Sequence, residues 1–220
     1  MKISIILSMQ SELEIFSELK NYSDHQITIH STGIDKKTGV PRFGLVPAAQ
    51  ATEKAINEDK PDLVICAGTC GADTNKYKIG DCIIANKACY FDRILAEFFQ
   101  NYGNGNFDCY VPDFVKKPHQ VVESINVYSG VIASGNPLFL NQEQLTKYNS
   151  LESLGKDMEA AAVSDVCQSH NVKCMVIKSV VGSIDPVTSQ NAENMMNCYN
   201  QGIISVKNLL QYILKDLKLV

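Results

Sequence analysis

The chain has 220 residues, 45% of them apolar and 20% charged, and a formal net charge of −4 at neutral pH. That length suits one domain spanning residues 1–220 better than two, and the mild acidity, without a block of like charges, argues against a nucleic-acid partner or an anionic membrane surface. No apolar run reaches the length of a membrane span, so the expected compartment is the cytoplasm.

Lys2–Leu7 is a short apolar run followed at once by Glu12 and Glu14. It predicts a first buried strand rather than a leader peptide. Leu13, Phe16 and Leu19 recur at helical spacing and predict a helix over about 9–20. Residues 26–30 alternate as a short strand, and 33–44, rich in Gly, Lys and Pro, reads as a loop. A helix over 47–57 tolerates Pro47 in its first turn. The continuous run Asp62–Ala67 predicts a central strand covered on both faces; it ends in Gly68-Thr69-Cys70-Gly71, which reads as a chain reversal. Further strands are expected at 79–85, 127–133 and 174–181. Helices are expected at 142–149, 159–170 and 191–217, the last interrupted near Gly202. Residues 92–117 read as a long loop, and loops of that length usually serve a site. Strands alternating with helices, and too apolar to be half exposed, predict a three-layer α/β/α sandwich with a central mixed β-sheet.

The eight cysteines, among them Cys66 and Cys174, sit mostly inside apolar runs and include no CxxC pair. Reduced core thiols are expected. His170 and Cys174 lack a second ligand pair, so no metal and no cofactor is expected.

In α/β sheets ligands gather at the carboxyl ends of strands. The segments there are Ser8–Glu12, Gly68–Gly71, Ser134–Phe139 and the stretch from Lys178 to Asp185. A fifth, Asp157-Met158-Glu159, opens the 159–170 helix with two carboxylates and a methionine. Each has a plainer explanation: acids at a helix start complement its dipole, the glycines reverse the chain, and Lys178 pairs with a nearby carboxylate. Together they describe a hydrolase cleft, with one carboxylate to activate water and another to hold a hydroxylated ligand.

These segments, in this order and spacing over most of the chain, resemble the 5′-methylthioadenosine/S-adenosylhomocysteine nucleosidases of the purine nucleoside phosphorylase superfamily. The resemblance rests on residues 1–12 and 60–71, Ile79-Gly80-Asp81, Ser134-Gly135, Asp157–Ala160 and Val176–Val180. It implies a nucleoside phosphorylase-like fold and hydrolysis of the N-glycosidic bond of a purine nucleoside. It implies a homodimer whose partner closes the alkylthio end of the pocket. By position, Glu12 matches the base that activates water, and Thr69 and Gly71 the turn near that water and the sugar. Asp157, Met158 and Glu159 match the ribose-binding stretch, and Phe139 a wall beside the base. Lys178 stands where many members carry an arginine that supports the ribose carboxylate.

Three departures matter. Gly182 occupies the place of the purine-protonating aspartate, leaving Asp185 to take over as acid. Residues 26–46 form a shorter segment than usual, and Asn136 replaces an aspartate after Ser134-Gly135. The alternatives are therefore a nucleosidase or phosphorylase of different base specificity, and a nucleoside-binding protein with impaired turnover. The arginine-bearing phosphate loop of the phosphorylases is missing, which favours water as nucleophile.

Overall fold

The computed structural model describes residues 1–21, 24–93, 103, 105–113, 125–184 and 192–217. The chain begins with strand β1 (Lys2–Leu7), helix α1 (Glu12–Ser17) with a 3₁₀ turn at Glu18–Asn21, strand β2 (Gln26–Ser31) and helix α2 (Leu45–Asp59). Strands β3 (Leu63–Ala72), β4 (Cys82–Tyr90), β5 (Phe107–Asp108) and β6 (Val127–Ser134) follow. The remainder is helix α3 (Gln142–Ser150), strand β7 (Gly155–Asp157), helix α4 (Ala160–Ser169), strand β8 (Lys173–Ser183) and helix α5 (Ala192–Asp216).

The sheet closes on itself. β3 pairs with β8 in parallel, β8 with β4 antiparallel, and β4 with β6 in parallel. β6 pairs with β7 in parallel, and β7 returns to β3 antiparallel. This small barrel carries an extension, β1 on β3 and then β2 on β1, both parallel. Alternation along β1 explains the layers, because successive side chains point to opposite faces. Ile3, Ile5 and Leu7 join Phe16 of α1 and Leu209 and Ile213 of α5 in one buried cluster. Ile6 joins Ala48 and Ala55 of α2 and Ala161 and Val163 of α4 in the other. The result is the expected three-layer arrangement, with its central sheet curled shut.

Several elements differ from the sequence expectation. The first helix is only six residues long before it tightens into the 3₁₀ turn. Gly68–Gly71 does not reverse the chain: β3 continues to Ala72 because β8 runs alongside as far as Ser183, with a bulge between Cys70 and Gly71. Gly155–Asp157 forms the short strand β7, of which the sequence shows no sign, while α4 (Ala160–Ser169) falls on the helix expected over 159–170. Helix α5 is not interrupted at Gly202. A Cβ at that position would lie 2.4 Å from Val181 Cγ1, so the glycine lets the helix press onto β8. A single interior glycine costs about 1 kcal/mol, which the long buried stripe of α5 offsets. Within 92–117 the described residues include β5, paired with β4.

All eight cysteines are free thiols. Burial pushes the thiols of Cys66 and Cys70 far above the ordinary range, which fits inert core residues. His170 pairs with Glu53 at 2.7 Å, and no cluster of potential metal ligands occurs among the described residues. No described helix is long and apolar enough to cross a membrane.

Candidate active site

Residues of β3, of β7 with the head of α4, and of the segment after β1 gather around one ammonium group on β8. Lys178 lies in the middle of β8 and is fully buried. Its Nζ is 2.8 Å from Asp157 Oδ2 and 3.6 Å from Glu159 Oε2. Burial alone would disfavour the charge, yet Asp157 and Glu159 beside it hold the Lys178 pKa well above the ordinary lysine range. β3 makes room for this group at Gly68, whose φ is +152°: a Cβ there would stand 3.4 Å from Lys178 Nζ and 3.8 Å from Ser8 Oγ.

Asp157 ends β7 and is built into the scaffold. Its Oδ2 accepts the Ala160 N–H at 2.9 Å, and its Oδ1 accepts the Ser134 hydroxyl. Ser134 in turn accepts the Ala161 N–H at 2.8 Å. The end of β6 and Asp157 thereby supply partners for the first amides of α4, which every helix start leaves unmatched. Glu159 stands just before that helix, 7% exposed. Its Oε1 accepts the Gly44 N–H at 3.1 Å, from the turn that leads into α2. Burial pushes the Glu159 pKa up; Lys178 opposes the shift, while Asp157 and Glu12 add to it.

Glu12 is 1% exposed. Its Oε2 accepts the Met9 N–H at 3.0 Å and its Oε1 accepts the Tyr199 hydroxyl at 2.6 Å. Burial raises its pKa above the ordinary glutamate range, against the hydrogen bonds from Tyr199 and Met9 and the field of Lys178. A buried carboxylate whose pKa is raised holds a proton more readily, which suits a general base. Glu12 and Glu159 therefore belong to one electrostatic cluster, three carboxylates with the Lys178 ammonium among them and Lys156 within range of Asp157 and Glu159. Its carboxylates outnumber its cations, which favours a developing cation.

The other predicted residues take more varied places. Met158 is half-buried between the two carboxylates. Thr69 is half-buried and in register with Ser179 of β8, and Gly71 faces Lys156 of β7 and Gly182 of β8. A Cβ at Gly71 would come within 3.1 Å of Ile184 Cγ2. Phe139 is 47% exposed on the loop after β6. That loop is tied down by the buried Lys156, which donates to the carbonyls of Pro137 and Leu138. Asn136 brings it next to α2 by accepting the Leu45 N–H at 3.4 Å. Gly182 is half-buried, and a Cβ there would meet no atom within 4 Å. Asp185 lies outside the described residues.

Sequence reasoning missed Tyr199, Gly44 and the bridging role of Ser134. Tyr199 heads the helical stripe that continues through Ile203, Val206 and Leu210, so its period marks it as facing the sheet. No local signal says which side chain it meets. A separate cleft of about 780 Å³, lined by Lys78, Gly80, Asp81, Asn126, Gln201 and Ser205 among others, shares no residue with this cluster.

Residues 2–215 match the model of the phosphorylase superfamily. A 5′-methylthioadenosine/S-adenosylhomocysteine nucleosidase of Buchnera aphidicola subsp. Schizaphis graminum is 29% identical over 237 residues, covering 99% of this chain and 97% of its own. Among solved structures, an MTA/SAH nucleosidase superposes with a TM-score of 0.84 at 24% identity, covering 96% of this chain and 93% of its own. The Neisseria meningitidis 5′-methylthioadenosine/S-adenosylhomocysteine nucleosidase, in complex with methylthio-immucillin-A, gives 0.80 at 20% identity, over 98% of this chain and 99% of its own. At such identities the structural likenesses speak for the fold, while the match along nearly the whole chain speaks for descent. The chain belongs to the phosphorylase superfamily, and the relatives it resembles along nearly its whole length are MTA/SAH nucleosidases.

Proposed function

We propose that the chain is an N-glycosidase that hydrolyses a purine nucleoside such as 5′-methylthioadenosine or S-adenosylhomocysteine. The observation that carries this reading is the gathering of two buried carboxylates, Glu12 and Glu159, on the field of one buried ammonium, Lys178. Breaking an N-glycosidic bond develops positive charge on the sugar. Preorganised carboxylates beside it lower the barrier because they need not reorient when the charge appears.

In this reading Glu12 takes a proton from the attacking water. Glu159 accepts hydrogen bonds from the ribose hydroxyls, and Met158 packs on the ribose face. Asp157 and Lys178 hold Glu159 in place. Thr69 and Gly71 line the sugar side, and Phe139 with its tethered loop walls the base. Water is favoured over phosphate because the cluster carries excess negative charge, which repels a phosphate dianion. The two arginines, Arg42 and Arg93, are engaged elsewhere. Arg42 donates to Gln50 at 2.5 Å, and Arg93 stacks 3.8 Å from the Tyr90 ring centroid and pairs with Asp165.

Asp185 is the proposed acid for the departing purine, since Gly182 offers none. The open space at Gly182 favours a second reading, in which the base leaves without a proton from the protein and methylthioadenosine is turned over slowly. A homodimer is part of the proposal. Phe43, Val46, Leu138 and Phe139 are exposed large apolar side chains on the two segments that meet at Leu45 and Asn136, beside Glu159's partner Gly44. The test is a panel of nucleosides assayed for liberated base with and without phosphate. Release independent of phosphate, and abolished by Glu12→Gln, is expected. Binding without any release, or release that requires phosphate, overturns the hydrolase reading.

A further inference from the structure

Beyond the residues that the family resemblance supplies, α5 contributes one of its own to the cluster. We propose that Tyr199 is a positioning residue for the water-activating carboxylate: its hydroxyl clamps Glu12 Oε1 and holds the carboxylate anionic and aimed at the sugar. This inference rests on the hydrolase reading for its catalytic consequence, though not for its geometry.

The geometry is direct. The Tyr199 hydroxyl donates to Glu12 Oε1 at 2.6 Å, and the Met9 N–H donates to Oε2 at 3.0 Å. With one donor on each oxygen the carboxylate cannot rotate, yet each oxygen keeps a second lone pair. One of these remains for a water proton. Tyr199 projects from α5, is partly buried and packs on the core that includes Ile203 and Val206, which restricts the motion of its ring.

The charged and titratable groups around Glu12 are few among the described residues. Lys178 comes from β8, Glu159 from the head of α4, and Tyr199 from α5, with the Ser11 hydroxyl hydrogen-bonded to the phenol. Lys178 and the phenol favour the Glu12 anion, whereas burial and Glu159 oppose it. Lys178 is already engaged by Asp157 at 2.8 Å. The phenol is thus the partner given over to Glu12 alone among the carboxylates.

The experiment is Tyr199→Phe, which removes one oxygen and leaves the ring. A hydrogen bond to a charged group corresponds to about a ten- to hundredfold effect. The expected result is a fall of that size in kcat with KM changed less than about twofold. The acid limb of the kcat/KM profile should move to higher pH, because an unclamped buried Glu12 protonates sooner. Separately, ¹³C NMR of the glutamate carboxyls should show the Glu12 midpoint rising in Tyr199→Phe, whether or not any nucleoside is turned over. An unmoved Glu12 midpoint overturns the clamp. A moved midpoint in a protein that hydrolyses nothing keeps the clamp and overturns the hydrolase reading. Should Tyr199→Phe fail to fold, native protein carrying 3-fluorotyrosine, a stronger donor, must lower the Glu12 midpoint, and a midpoint that stays put is equally fatal.

Discussion

Replacing Lys178 by methionine removes the ammonium paired with Asp157 and Glu159 while keeping most of the length and the apolar stem of the side chain. Coulomb's law with an effective dielectric of about 20 gives roughly 6 kcal/mol for a pair at the 2.8 Å separation from Asp157 and roughly 5 kcal/mol at the 3.6 Å separation from Glu159. Most of that gross attraction is offset by the cost of taking the ammonium out of water. Truncating one member of such a group leaves the others uncompensated and costs about 3–5 kcal/mol. A loss of that size is therefore expected for Lys178→Met in urea denaturation at pH 7. Its pH dependence follows from Glu159, whose pKa burial already raises in the folded state. A carboxylate with a raised folded pKa gives its full contribution below its unfolded value and loses it as pH rises through the folded value. Without Lys178 that folded value moves higher still, so the deficit of the variant should be largest at neutral pH and shrink towards pH 4. A deficit below about 1 kcal/mol at pH 7, or one that is flat with pH, would refute the account of Lys178 as the neutralising centre. Lys178→Arg serves as the control, keeping the charge in a longer, planar form.

Two further outcomes are expected. Glu12→Gln should abolish hydrolysis yet raise Tm at pH 7, since it replaces a buried carboxylate whose pKa burial raises with a neutral isostere. The gain should vanish as pH falls into the ordinary glutamate range, where the native side chain is itself protonated, and differential scanning calorimetry across that range checks it. Gly182→Asp should fold normally, because a Cβ there meets nothing within 4 Å. If the missing acid limits the reaction, hydrolysis of methylthioadenosine should gain up to about 10²–10⁴-fold. Native turnover already at the level of Gly182→Asp, together with no effect of Asp185→Ala, would show that the acid comes from elsewhere.

Much of the fold is legible because its strands are buried on both faces. β1 spans Lys2–Leu7 as its short apolar run suggests, and β3, β6 and β8 fall where expected, with shifted ends. The errors have local causes. β7 has three residues, too few for any periodicity, and its ladder partners Ala133 and Gly71 are distant in sequence. Gly68-Thr69-Cys70-Gly71 carries the composition of a turn, yet the neighbouring β8 extends the ladder through it. In the site, the simple expectation that Lys178 pairs with a carboxylate is correct, and it is also what places Glu159. The meeting of Glu12 with Glu159 is not deducible from spacing, because it depends on how β1, β7 and β8 are ordered in a closed sheet. Their place at strand ends suggests a shared cleft, and the resemblance assigns the two carboxylates their separate roles. Tyr199 was legible as core-facing and not as a partner of Glu12, since helical period fixes a face and not a neighbour.

The closed ring of strands also constrains how the molecule is made. β3 is joined to β8, the last described strand, so the barrel cannot seal until residues up to Ser183 have left the ribosome. Such distant pairings carry a large loop-closure cost and slow folding. Until β8 arrives, Asp157 and Glu159 have no Lys178 to pair with. Assembly of the buried charge cluster is thereby coupled to synthesis of β8, and a fragment ending before β8 should accumulate open and prone to aggregation.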